Sequence, residues 1–288
     1  MGVFNPFKSR RDFPCPVRLT LNVYVGCAFG CRYCYGQTYI RDFSIPRAKS
    51  RFSELLERDI ELLKEAGLRP WISISNSTEP LQPLEEREGH TLYALRRLLE
   101  EGFPVLLVTK NPEKLCEPSY LEALSRGEAR IHVTIPFLRQ NPLEPHAPPP
   151  KERIRGVERL SALGFDVGVR IDPVLPQVEG LGQNPEELRE LVFLLREAGA
   201  RRIYAKCLRL MGRLKALQPD LYSALKPFYR DHGIWRGSYY ILRDEAKEEL
   251  LLPIWEAARE AGLRLFTCTD RVNLPGALRC EFSPISPV

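Results

Sequence analysis

A chain of 288 residues, 44% hydrophobic and 27% charged, can bury a large core and is far too long for a small disulfide scaffold. Its formal charge of +5 does not by itself announce a nucleic-acid binder, but residues 1–60 hold ten Lys/Arg against five acids, so the whole surplus lies there. No apolar run reaches the length of a membrane span and Met1 to Lys8 lacks the apolar stretch of a signal peptide, so a cytoplasmic location and no membrane partner are expected.

In chain order, the apolar run Leu19 to Val25 reads as a first strand and leads into Gly26-Cys27-Ala28-Phe29-Gly30-Cys31-Arg32-Tyr33-Cys34-Tyr35. Three cysteines spaced C-x3-C-x2-C in one loop can wrap three thiolates round a small inorganic core. Iron–sulfur clusters are normally held by four thiolates, so three leave one iron of a cubane open to a small-molecule chelate. Gly26 and Gly30 let the backbone turn tightly, since glycine adopts positive φ without a Cβ clash. The competing reading is structural zinc, which needs a closed set of four N/S ligands and commonly two C-x2-C units. No second C-x2-C occurs.

Beyond the loop, Ser50 to Ala66 has the apolar spacing of an amphipathic helix stopped by Gly67. Strands follow at Trp71 to Ser75, Pro104 to Thr109, Arg130 to Ile135, Asp166 to Ile171 and Arg202 to Ala205. Helices alternate with them at Glu88 to Glu101, Ser119 to Arg126, Lys151 to Leu163 and Pro185 to Ala198. Strict alternation with short links gives an α/β fold with a parallel sheet, and six such strands by residue 205 fit a partial (β/α)6 barrel. The expected organisation is an extension over 1–18, a barrel over 19–210 and a C-terminal cap region over 211–288.

From Met211 the chain reads as irregular, with Tyr222, Phe228, Tyr229, His232, Trp235, Tyr239 and Tyr240 among arginines and lysines. Such residues can stack bases and hold phosphates, or close the open side of a barrel, and the cap reading is preferred. Asp244 to Ala261 reads as a helix, Leu263 to Thr267 as a short strand and Pro275 to Val288 as an extended tail. The other cysteines, Cys15, Cys116, Cys207, Cys268 and Cys280, each read singly as small buried hydrophobes; among them Cys207, just past the sixth strand, is the candidate catalytic thiol to face the cavity, and Cys268 and Cys280 are candidates for a second cluster.

The cysteine loop, with an aromatic residue directly before its last cysteine, resembles that of the radical S-adenosylmethionine (SAM) enzymes. In that superfamily the amino and carboxylate groups of SAM chelate the unique iron of a [4Fe-4S] cluster. Cys27, Cys31 and Cys34 are then the cluster ligands. Strand-end residues Thr78, Glu79, Lys110 and Thr134 become candidates to hold SAM, with Lys110 placed to pair with its carboxylate.

A closer resemblance, from about Leu19 to about Pro176, is to the spore photoproduct lyase-like branch. It rests on Cys27 to Tyr35, Ser77-Thr78-Glu79-Pro80-Leu81-Gln82-Pro83-Leu84-Glu85, Val108-Thr109-Lys110, Leu143-Glu144-Pro145 with Lys151-Glu152-Arg153, and Ile171-Asp172-Pro173-Val174-Leu175-Pro176. Thr78 and Lys110 match positions that contact SAM in the lyase, and Tyr35 matches its relay tyrosine. The lyase cysteine that returns hydrogen to the product radical is replaced here by Asn76. The resemblance implies a radical SAM enzyme that cleaves SAM reductively, fed by a reductase or flavodoxin-type electron donor, with nucleic acid as a candidate substrate. The alternative is a non-catalytic, metal-stabilised nucleic-acid-binding module.

Overall fold

Residues 2–6, 18–270, 272–280 and 282 are described in the computed structural model of the chain. Its central sheet contains seven parallel strands that follow one another in chain order: β1 (Leu19–Leu21), β2 (Ile72–Ile74), β3 (Val105–Thr109), β4 (Ala129–Thr134), β5 (Asp166–Val174), β6 (Arg202–Cys207) and β7 (Arg264–Phe266). A short strand, Asn5–Pro6, runs antiparallel along the outer edge of β1. Each parallel neighbour requires a crossover, and amphipathic helices such as Phe52–Glu65, His90–Glu100 and Pro185–Glu197 supply it.

The register separates two faces. Leu21, Ile74, Leu107, Ile131 and Val167 lie side by side in one row and are all fully buried. They belong to the aliphatic face that packs against the helices. Because side chains alternate along a strand, the intervening positions Ser73, His132, Thr134, Arg170 and Tyr204 share the inner face. Position 168 shares that face and is glycine, since a Cβ there would come within 2.7 Å of the Tyr204 ring. That ring in turn lies 4.2 Å from His132, centroid to centroid.

Three expectations change. The first apolar run is not continuous: β1 ends at Leu21, and Tyr24–Val25 pairs with Arg47–Ala48 in a separate ribbon. The strand count rises from six to seven, because Arg264–Phe266, reached through the helix Asp244–Glu260, docks in parallel beside Arg202, Ile203 and Tyr204. The segment after Met211 is not irregular. It holds the helix Pro219–His232 and a three-stranded antiparallel sheet of Leu210–Met211, Tyr239–Leu242 and Gly233–Trp235.

That helix starts on Pro219, where a missing N–H costs nothing, and buries Leu221, Tyr222, Leu225 and Tyr229 on one side. The expectation for Cys15, most of that for the 1–18 extension, and that for the last tail residues fall outside the described residues. Among the described residues no helix is long and apolar enough to cross a membrane.

Candidate cluster and cofactor site

The cysteine loop begins where Tyr24–Val25 ends, and its first turn admits only glycine. Gly26 has φ +81°, and a Cβ would meet the carbonyl oxygens of Phe43 at 2.7 Å and Ile45 at 2.9 Å. Neighbouring segments then tie the loop down. Cys27 N–H donates to Phe43 O at 2.7 Å, Ala28 N–H to Gln82 Oε1 at 2.8 Å, and Arg32 N–H to Leu143 O at 2.9 Å. The Gln82 side-chain amide returns a bond to Gly26 O at 3.3 Å, so one buried glutamine clamps both sides of the turn.

All three loop cysteines are free thiols. Burial pushes Cys27 and Cys31 up to about 12 and Cys34 up to about 11. Thiols raised in this way stay protonated near neutral pH unless a neighbouring positive charge stabilises the thiolate, and a bound metal group would supply one. Among the described residues no three His, Cys, Asp or Glu side chains gather about a point where a single ion would sit. Three cysteines of one loop are one ligand short of the closed set of four that structural zinc requires, and their number matches a cluster with one iron left open.

The strand ends bring several expected residues to this loop. Lys110, just past β3, has its Nζ 3.6 Å from Glu144 Oε1 and 5.9 Å from the centre of the Tyr33 ring. Burial alone would lower the Lys110 ammonium, but Glu144 and then the Cys31 thiolate outweigh it, and the group sits above its ordinary range. Glu79 accepts the Thr109 hydroxyl, the Lys110 N–H at 2.9 Å and the Leu81 N–H at 3.1 Å. Burial nevertheless lifts its carboxyl above the usual value. With all those donors internal, Glu79 shapes the loop after β2 and β3. Thr78 is buried, its hydroxyl 3.5 Å from Tyr24 O, and Thr134 is buried on the inner face at the end of β4.

Tyr35 is 46% exposed, and its hydroxyl donates to the backbone carbonyl of Asn76. Asn76 Oδ1 accepts the Ser73 hydroxyl at 2.9 Å, while its Nδ2 is buried without a hydrogen-bond partner. Cys207 does not face the cavity as expected. β6 continues past Ala205, and alternation places Cys207 with Ile203 and Ala205 on the helix-packed face, leaving Lys206 on the inner one. Burial, followed by Asp270, holds its thiol well above the ordinary range, and Asp270 also accepts the Cys207 N–H at 2.7 Å. Cys268 and Cys280 are half-buried, and Cys116 is buried with its Sγ 3.6 Å from Pro112 O.

Nothing local in the sequence assigns a task to Glu144 or Arg153. In the fold they form a buried ion pair, Nη2 to Oε2 at 2.7 Å, with 0% and 2% of the Arg and Glu side chains exposed. Arg170 and Asp172 pair at 2.7 Å at the end of β5. Lys206, then Arg170, counter the effect of burial and hold the Asp172 carboxyl below its usual range.

Residues 21–195 match the family model described as the Radical SAM superfamily. An uncharacterised protein of Mycobacterium tuberculosis is 27% identical over 246 residues, covering 78% of this chain and 69% of that protein. An uncharacterised protein of Acidianus two-tailed virus is 24% identical over 217 residues, covering 67% of each chain. Among solved structures, a spore photoproduct lyase variant with bound AdoMet and dinucleoside spore photoproduct superposes with a TM-score of 0.64 at 16% identity, over 86% of this chain and 75% of that one. SuiB of Streptococcus suis bound to S-adenosylmethionine gives 0.56 at 14% identity, over 88% of this chain and 49% of that one. These two likenesses establish the fold.

Proposed function

The chain belongs to the radical SAM superfamily, and from that premise we propose that it is an enzyme that cleaves SAM reductively and abstracts hydrogen from a substrate held over the strand ends. The observation that carries this reading is that Cys27, Cys31 and Cys34 lie in one loop close enough to interact electrostatically, with the Lys110 ammonium beside Cys31 and Cys34. Cys27, Cys31 and Cys34 would hold a [4Fe-4S] cluster. When bound, that cluster and SAM supply a 5′-deoxyadenosyl radical, with methionine as coproduct and the electron drawn from a reductase or flavodoxin-type donor.

The chain's own residues do the positioning. Lys110 offers a cation beside Cys31 for the SAM carboxylate, while Thr78 and Thr134 line the adjoining strand ends. Glu79 fixes the loop that carries Thr78 and the backbone of Lys110. Tyr35 stays near the substrate side with its hydroxyl held by the Asn76 carbonyl. Burial of the loop excludes water and thiols that would quench a radical.

The substrate half differs from that of a lesion-reversing lyase. Asn76 stands where a thiol donor would be needed, an amide N–H is a poor hydrogen-atom donor, and Cys207 faces away. Nucleic acid is the first substrate class to test, because Trp235 is exposed beside Arg236 on the cap hairpin. The test is iron and acid-labile sulfide analysis of anaerobically reconstituted protein, with 5′-deoxyadenosine measured after adding SAM and a reductant. Zinc without sulfide, together with no 5′-deoxyadenosine, would return the chain to a non-catalytic metal-stabilised module.

A further inference from the structure

Glu144 lies in the segment between β4 and the helix Pro150–Ala162 that runs alongside the cysteine loop, and it touches three partners from three different parts of the fold. The Tyr33 hydroxyl, from between two cluster cysteines, donates to Oε1. Arg153 grips Oε2 at 2.7 Å, and Lys110 Nζ lies 3.6 Å from Oε1. Arg153 is itself immobilised: Nε donates to Pro148 O at 2.7 Å and Nη1 to Thr134 O at 3.0 Å. A single buried carboxylate thus joins the ends of β3 and β4, the following helix and the cysteine loop.

The balance of charge is one anion against two cations on the Cys31 side of the loop. In a dry interior such charges act strongly at short range and are weakly screened by salt. A cluster gains negative charge on reduction, so cations beside it favour the reduced state and anions oppose it.

We propose that Glu144 is a positioning residue that holds Lys110 and Tyr33 against the Cys31 side of the cluster and, through its own charge, sets how readily the cluster accepts an electron. The inference rests on the reading that Cys27, Cys31 and Cys34 hold an iron–sulfur cluster. Removing the carboxylate charge leaves Arg153 in place, because two backbone carbonyls still hold it, and the local field becomes more positive. Removing the Lys110 charge has the opposite sign. Removing the Tyr33 hydroxyl leaves the carboxylate less neutralised and acts in the same direction as loss of Lys110, with a smaller size.

The experiment is an anaerobic redox titration of the reconstituted cluster, followed by electron paramagnetic resonance, in wild type, Glu144→Gln, Tyr33→Phe and Lys110→Met. Midpoint potentials should rank Lys110→Met lowest, then Tyr33→Phe, then wild type, then Glu144→Gln highest. A side chain that only stabilised the fold would change melting temperature and iron content without this signed order. Equal midpoints in all four proteins, or Glu144→Gln at or below wild type, would overturn the proposal. If Glu144→Gln loses its iron, Tyr33→Phe decides: a midpoint below wild type supports the proposal and an unchanged one overturns it. Absence of iron and sulfide in the wild type would instead sink the cluster reading, so the two failures are distinct.

Discussion

Around the cysteine loop, Tyr33, Gln82, Glu144 and Arg153 are all buried and bonded to other segments of the chain, whereas on the antiparallel sheet after Met211 Ile234 and Trp235 are 41% and 45% exposed. The two regions obey different constraints. Buried polar groups must be satisfied together, which permits essentially one arrangement and suits chemistry that has to be the same on every turnover. The hairpin is a small antiparallel sheet whose outward side chains carry little of the stability. On the proposed function, the first region would hold the cofactor and the second would meet the substrate.

The comparison breaks most sharply at the cluster ligands. Cys31→Ala is expected to abolish 5′-deoxyadenosine formation while leaving the barrel folded, and turnover retained without a bound cluster would contradict the assignment. Arg153→Ala should be the most destabilising of the remaining changes. It leaves the buried Glu144 carboxylate with Tyr33 and Lys110 alone and frees the Pro148 and Thr134 carbonyls, at a cost of about 3 kcal/mol read as a drop in the denaturant midpoint.

Gly26→Ala comes next. A left-handed backbone costs about 1–2 kcal/mol for an alanine, and the Cβ also meets the two carbonyls at 2.7 and 2.9 Å. Lower iron content per chain should accompany the loss of stability. At the cap, Trp235→Ala should change stability by no more than about 0.5 kcal/mol while weakening single-stranded nucleic-acid binding in a fluorescence titration. A large stability loss there would erase the contrast between the two regions.

What was legible in the sequence follows the same division. The cysteine spacing, Lys110 at a strand end and the alternation of strands and helices are local patterns, readable within a few residues. Glu144 was not assignable, because its bond to Tyr33 spans 111 residues and nothing near it in sequence announces the pairing. The orientation of Cys207 turned on where β6 ends: two further residues of strand fix the alternation and send the thiol toward the helices. Pro227 sits inside the helix Pro219–His232 and masked it, since proline in a helix interior normally argues against one. The short strand at Leu263 to Thr267 was legible by itself, but its place as the seventh strand of the sheet depends on pairing with β6 and was not.

The most direct test of the central claim uses anaerobically reconstituted protein with SAM, a reductant and ultraviolet-irradiated DNA, following 5′-deoxyadenosine and the thymine photoproduct together. The account expects 5′-deoxyadenosine to form while the photoproduct persists, because Asn76 offers no thiol hydrogen and Cys207 faces away. Loss of the photoproduct would contradict the substrate half and direct attention to another thiol, and failure to form 5′-deoxyadenosine in protein loaded with iron and sulfide would contradict the claim itself.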